Sequence, residues 1–376
     1  MFKSRETILS FLCATLLCAP AYAQSDPNPA VNHPDQVSWE LFVKVTAPAA
    51  SAGNNNVLFE TWASDGDTFQ PNPRWPGATP SPMRLRAPIL SAFGPRAPGP
   101  QPHVLPGGSE ETRRNKVTFD FIVNNKLFMQ DDLKRAFTAG NPIVFPVDSI
   151  EVKAVWKPVD ASTTPDRYHI NTASDGQRFA LISMHVISKL IPNWTWATFE
   201  HEDNLGRCDF IGCHDQFGAE VKNVLPLPQP DRKYPACAKT PALLAMFTAG
   251  NLAPAWRHYC LKGSQVDFTT STGLPTLLGN SNIEPGFVNT SSCMTCHGRA
   301  AFDANGRPTS QAGFLVPPPT ALCPTGAPCS PNGTPDPAWF WQNPGKPNQS
   351  MIALQTDFVW AIPLCALRSG STQGVC

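Results

Sequence analysis

Apolar and polar positions alternate along this chain in two periods, one suited to helices and the other to strands. Over 115–139, apolar residues recur at Val117, Phe121, Leu127, Phe128 and Leu133 with charges between them. That spacing predicts a helix, which Gly140 and Pro142 would end. Ile150-Glu151-Val152-Lys153-Ala154-Val155-Trp156 instead alternates apolar with charged or small residues and predicts a half-buried strand. Residues 178–189 and 194–203 predict two more strands, joined as a hairpin through Leu190-Ile191-Pro192-Asn193. On the second, Trp194, Trp196, Thr198 and Glu200 share one face, and Thr195, Ala197, Phe199 and His201 share the other. The centre of the protein is therefore expected to be an antiparallel sheet. Residues 242–248 predict a short apolar helix ending at Gly250. Phe-Thr-Ala-Gly-Asn occurs at both 137–141 and 247–251, a helix-stop signal used twice rather than a duplicated unit.

Composition sharpens this picture. With 41 Pro and 25 Gly in 376 residues, much of the chain must be loops and turns, which excludes a helical bundle or coiled coil. Residues 24–114 read as a Pro-rich segment wrapped over the core and pinned by Trp39, Phe42, Trp62 and Trp75, loosest over 79–107. Residues 115–236 read as mainly sheet, and 237–376 as helical and loop-rich, with a long Pro-rich excursion at 314–349. Lys+Arg and Asp+Glu balance at 29 each, so no electrostatic footprint for nucleic acid or an anionic membrane surface is present.

The first 23 residues have the pattern of a cleaved secretory signal: Lys3 and Arg5, an apolar run from Ile8 to Cys18, then Ala21-Tyr22-Ala23. The run is shorter than the roughly 20 apolar residues a membrane span needs. A periplasmic location and oxidising surroundings are expected. Ten of the twelve cysteines would remain after cleavage. Chain proximity suggests disulfides Cys208–Cys213, Cys237–Cys260, Cys323–Cys329 and Cys365–Cys376.

The remaining two cysteines carry the chemistry. Cys293-Met294-Thr295-Cys296-His297 is C-x-x-C-H, the attachment pattern of c-type haem. Thiols three residues apart lie on one helical turn, where both reach the haem vinyl groups, and the adjoining imidazole meets the iron. Ser291 and Ser292 would cap that short helix, and Gly298 would end it. In an exported chain with no second C-x-x-C, a zinc tetrahedron has no other half. Cys208-Asp209-Phe210-Ile211-Gly212-Cys213-His214 has a looser C-x4-C-H spacing, readable as a second haem site but more simply as a disulfide loop.

The sixth iron position is left open among Met351, Met184, His185 and His201. Asp357-Phe358-Val359-Trp360-Ala361-Ile362 is apolar enough to return to the core or the haem edge.

The haem motif places the chain with c-type cytochromes, and the wider text resembles large, single-haem bacterial cytochrome c family proteins. The stretches that carry the resemblance are 39–42, 59–62, 149–156, 196–204, 291–298 and 357–360. It implies one covalent haem c held by Cys293, Cys296 and His297, with His297 as the metal ligand. The expected architecture is α+β: an antiparallel sheet centre, short helices, many loops and a helical c-type haem segment towards the C-terminus. Electron transfer in the periplasm is the first functional expectation, with a redox partner protein. A haem-dependent oxidoreductase or peroxidase-like enzyme is the alternative, with an open distal site among Trp194, Trp196, Glu200 and His201, the last as acid/base. A non-catalytic haem-binding module is the third.

Overall fold

The alternation over 150–156 does produce a strand, and that strand becomes the spine of the molecule. The computed structural model describes residues 27–49, 56–77, 83, 85, 110–285, 287–309 and 332–371. The expected signal segment 1–23, most of 79–107, the stretch 310–331 with Cys323 and Cys329, and Cys376 lie outside the described residues. The strands of the main sheet are β1 (Ala63–Ser64), β2 (Glu110–Arg114), β3 (Ile150–Val159), β4 (Ile170–Thr172), β5 (Arg178–Ser188) and β6 (Thr195–His201). After a two-residue hairpin of β7 (Cys213–His214) and β8 (Asn223–Val224) comes β9 (Tyr259–Gln265). The sheet order is β1-β2-β3-β5-β6-β9, with β4 against β5, and every pairing is antiparallel.

The expected hairpin between 178–189 and 194–203 is β5–β6, in register Ser183↔Glu200 to Ser188↔Thr195. β6 is buried along its whole length, because both faces of the sheet are covered. Val152, Ala154, Trp156, Met184, Val186, Ala197, Phe199, Tyr259 and Leu261 build the first face into the principal core.

Helices cover that core. Among the described residues they are α1 (Pro29–Asn32), α2 (Pro34–Thr46), α3 (Asp65–Thr68), α4 (Lys116–Asn124), α5 (Gln130–Ala139), α6 (Pro241–Ala249) and α7 (Cys293–Gly298), with α8 (Ala361–Cys365) last. None is long and apolar enough to cross a membrane. In place of a wrapped loop, α2 brings Val37, Leu41 and Val45 at helical spacing, with Trp39 and Phe42, onto the sheet. Proline at its first position and Asp35 in its first turn favour its start. The helix expected over 115–139 is two helices, because Lys126 takes a left-handed φ of 55° between α4 and α5. The repeated pentapeptide stops both α5 and α6, though by different residues: Gly140 is left-handed after α5 and Asn251 after α6.

One close approach fixes how the 213–240 region sits on α2. A Cβ on Gly218 would lie 2.1 Å from Trp39 Nε1 and 2.7 Å from Leu243 Cδ2. The same indole N–H donates to Asp215 Oδ2 at 2.9 Å, so Trp39 cannot swing aside without losing that bond. Gly218→Ala is expected to cost about 1–3 kcal/mol by overpacking, read from the midpoint of a urea titration.

Candidate functional site

The second face of the sheet is polar, and it forms one wall of a pocket. Antiparallel register stacks Thr112, Lys153, His185 and Thr198 in one row across β2, β3, β5 and β6. The next row runs Arg114, Glu151, Ile187, Trp196 and, on β9, Gln265. From these rows Thr112, Glu151, Lys153, His185, Ile187 and Trp196 line the pocket. The facing wall is Glu284, Phe287, Ser291, Cys293, Cys296 and His297, and the side is Trp360, Ala361 and Leu364. Its cavity volume is about 120 Å³, and it opens to solvent.

Local chemistry sets α7 in place. The Ser292 hydroxyl caps the helix by accepting from the Thr295 N–H at 3.3 Å. Gln265 on β9 accepts from the Met294 N–H at 3.0 Å and donates to Ser292 Oγ at 2.8 Å, tying the helix start to the sheet. Trp360 Nε1 donates to the Cys296 carbonyl at 3.0 Å. Cys293 and Cys296 are free thiols. Burial pushes the Cys293 thiol well up and Cys296 up to about 12, so both are neutral S–H groups.

His297 is the most closely controlled of the three motif residues. Its Nδ1 lies 2.9 Å from the Phe358 carbonyl oxygen, so Nδ1–H donates and the lone pair is on Nε2. Burial, above all, lowers its pKa to about 4, which keeps the imidazole neutral. The carbonyl is presented by two consecutive left-handed residues, Asp357 (φ 48°) and Phe358 (φ 73°). Strain of that kind persists where neighbours hold it. Here Asp357 accepts from the Phe145 N–H at 2.7 Å and from the buried Lys189 Nζ at 2.6 Å. The Trp196 ring packs on the imidazole with centroids 4.7 Å apart.

On the sheet wall His185 has a different environment. Its Nε2 lies 3.5 Å from Glu284 Oε1 but outside hydrogen-bond geometry, and no other group among the described residues partners it. Burial would raise the Glu284 carboxyl. Its neighbours His185 and Lys153 and the Asn280 N–H that donates to it outweigh that and hold it below the usual range.

No family model, curated protein or solved structure matches this chain.

Of the residues singled out in the sequence, Cys293, Cys296, His297, His185, Trp196, Ser291 and Trp360 come together in this pocket. Met184 does not; it is fully buried in the core on the opposite face. Met351 pairs with Trp341 in a small two-stranded sheet and is not among the lining residues. His201 is a structural histidine. Its Nε2 bonds the Arg167 carbonyl at 2.9 Å, its Nδ1 accepts from the Asp203 N–H, and its ring stacks on Tyr168 at 3.8 Å. Trp194 and Glu200 also lie away from the lining, so a pocket of Trp194, Trp196, Glu200 and His201 does not form. Cys208–Cys213 and Cys237–Cys260 are disulfides as expected. His214, following the first pair, uses both ring nitrogens on Asn223 and Ile211. Cys365 is also disulfide-bonded.

The segment 357–362 does return to this pocket, with Trp360 in its lining and the Phe358 carbonyl on His297, whereas Gln265 and Glu284 were not marked by sequence reasoning. The polar positions Glu151 and Lys153 were visible in the alternation of β3, and only the burial of that face gives them meaning.

Burial, foremost, lowers the His201 pKa to about 4. The unfolded chain therefore takes up a proton near pH 6.5 that the folded one refuses. This contribution to stability is present above about pH 6.5 and is lost as pH falls toward 4, a loss of about 3 kcal/mol. Urea midpoints across that window are expected to fall less steeply in His201→Gln.

Proposed function

We propose that this chain is an exported c-type cytochrome that carries one haem and transfers electrons in the periplasm. Cys293 and Cys296 would hold the group through thioethers and His297 Nε2 would ligate the iron. The observation that carries the reading is the His297–Phe358 hydrogen bond in a pocket shared with both free thiols. That bond leaves the lone-pair nitrogen a metal requires, fixed from behind by a backbone carbonyl. The donor set fits: two neutral thiols on one turn, one neutral imidazole, and apolar walls from Ile187, Trp196, Phe287, Trp360 and Leu364. Bound haem supplies a one-electron couple.

His185 would be the chain's own candidate for a second iron ligand, since among the described residues it is the one histidine on the sheet wall of this pocket and its Nε2 has no hydrogen-bond partner. Expression with cytochrome c maturation, followed by a pyridine haemochrome assay, should give one haem per chain; colourless protein would end the proposal. The reduced wild type is expected not to bind carbon monoxide, and His185→Ala to bind it.

A second reading, a haem-dependent oxidoreductase, is favoured by the partly buried Glu284 carboxylate beside His185, an arrangement able to hold and move a proton. Prompt carbon monoxide binding by the reduced wild type would select it.

A further inference from the structure

A cleft away from the haem motif is lined by Arg207, Cys213, Asp215, Val221, Leu225 and Cys237, among others. Cys237 is partly exposed in it, and its disulfide partner Cys260 is buried on β9. Val221 and Leu225, 65% and 74% exposed, leave the cleft open to solvent. Beside the disulfide lies Lys239, a buried side chain whose Nζ is 2.6 Å from Cys237 Sγ and 2.8 Å from the Cys237 carbonyl. No carboxylate lies within ion-pair distance of that Nζ among the described residues. Other charged groups near it are Glu202, Asp215 and Arg207. The Glu202 carboxylate comes within 4.8 Å of both sulfurs but is engaged by Arg167 and His258.

An amine buried against a disulfide gains little there, because neither sulfur carries charge. It gains an ion-pair partner once the bond is reduced. We propose that Cys237–Cys260 is a redox-active disulfide, reducible by a dithiol, whose reduced form is an ammonium–thiolate pair of Lys239 and Cys237. This inference is independent of the haem proposal.

The chemistry balances with a dithiol as the reductant. One of its thiolates attacks Sγ of Cys237, the partly exposed residue of the pair, the S–S bond breaks, and the electron pair leaves on Cys260, which takes a proton. The second thiolate then attacks its own sulfur in the mixed disulfide, closes a disulfide on the reductant, and expels Cys237 as thiolate. Two electrons reach the protein. Of the two protons released, one stays on Cys260 and the other is taken by Lys239, whose pKa burial has brought down to about 7. Cys208–Cys213, with Arg207 Nη1 3.4–3.5 Å from its sulfurs, is buried at both ends and so is shielded from the same attack.

The test uses the full-length protein in dithiothreitol redox buffers at pH 7 without denaturant, followed by acid quench, alkylation and peptide mapping. Cys237 and Cys260 are expected to become labelled together while Cys208 and Cys213 stay bonded. Lys239→Met should lower the equilibrium constant for reduction by about tenfold, the equivalent of one pKa unit of thiolate stabilisation. Because that variant removes a buried side chain, the wild type provides a second measure. The alkylation rate of reduced Cys237 should follow a midpoint below pH 7. A pair that resists reduction until the protein unfolds, or a midpoint near the ordinary thiol value of about 8.5, would overturn the proposal.

Discussion

A chain in which both Cys293 and Cys296 are replaced by alanine is expected to accumulate with no covalent haem, the largest change any substitution here should produce. Both thiols are free, neutral and on the pocket wall, and the other cysteine pairs described are already bonded to each other. Truncation to alanine leaves the Ser292 cap, the Gln265 bonds and the Trp360 bond to α7 in place, since these use the backbone and other side chains. The expected loss is therefore of attachment and not of fold, and far-ultraviolet circular dichroism should be unchanged. Removing Cys208 and Cys213 makes the contrast. That variant should keep its full haem content and lose about 2–5 kcal/mol of stability. Loss of half the haem from it would show that the C-x4-C-H loop binds a group after all.

The largest effect on stability is expected at Arg114. Its guanidinium is fully buried and reaches Asp65 and Glu151 as ion pairs, the second at 3.1 Å, and it also bonds the Ser64 carbonyl and Thr68 Oγ1. The two carboxylates hold its pKa up against the opposing cost of burial. Arg114→Met would remove the buried positive charge that both acids share, a loss of about 3–5 kcal/mol. Equilibrium denaturation should show it as a lowered midpoint at unchanged slope. Because Glu151 lines the pocket, Arg114→Met with Glu151→Gln should recover part of the loss. A cost under about 1 kcal/mol for the single variant would mean that the pair is not desolvated as its burial indicates.

The spine of this fold was legible because β3, β5 and β6 obey the period-2 rule, with large apolar residues on one face. The Trp196/Thr198 and Ala197/Phe199 division of faces is the one observed. The strands that were not legible hide charge in the interior. Glu110-Glu111-Thr112-Arg113-Arg114 reads as solvated surface, yet all four charged residues are buried, with Glu111 paired to Arg113 and Arg114 to its two acids. Tyr259–Gln265 escaped for a similar reason. Lys262 and Gly263 interrupt its apolar pattern, and a register shift at Thr198/Phe199 accommodates them. At the site, the C-x-x-C-H spacing needed no tertiary knowledge. Placing His185 and not Met184 on the pocket wall did, because neighbouring residues on a strand face opposite ways and only the position of α7 decides which face matters.

The imidazole's orientation comes from far along the chain, since the carbonyl that receives its proton lies 61 residues beyond it. In the proposed cytochrome, attachment and ligation would thus be encoded in separate places. A peptide cut around the five-residue motif would retain both sulfurs but lose the turn that selects the tautomer, and if the proposal holds, changes at Asp357 or Lys189 would retune iron affinity without touching either sulfur.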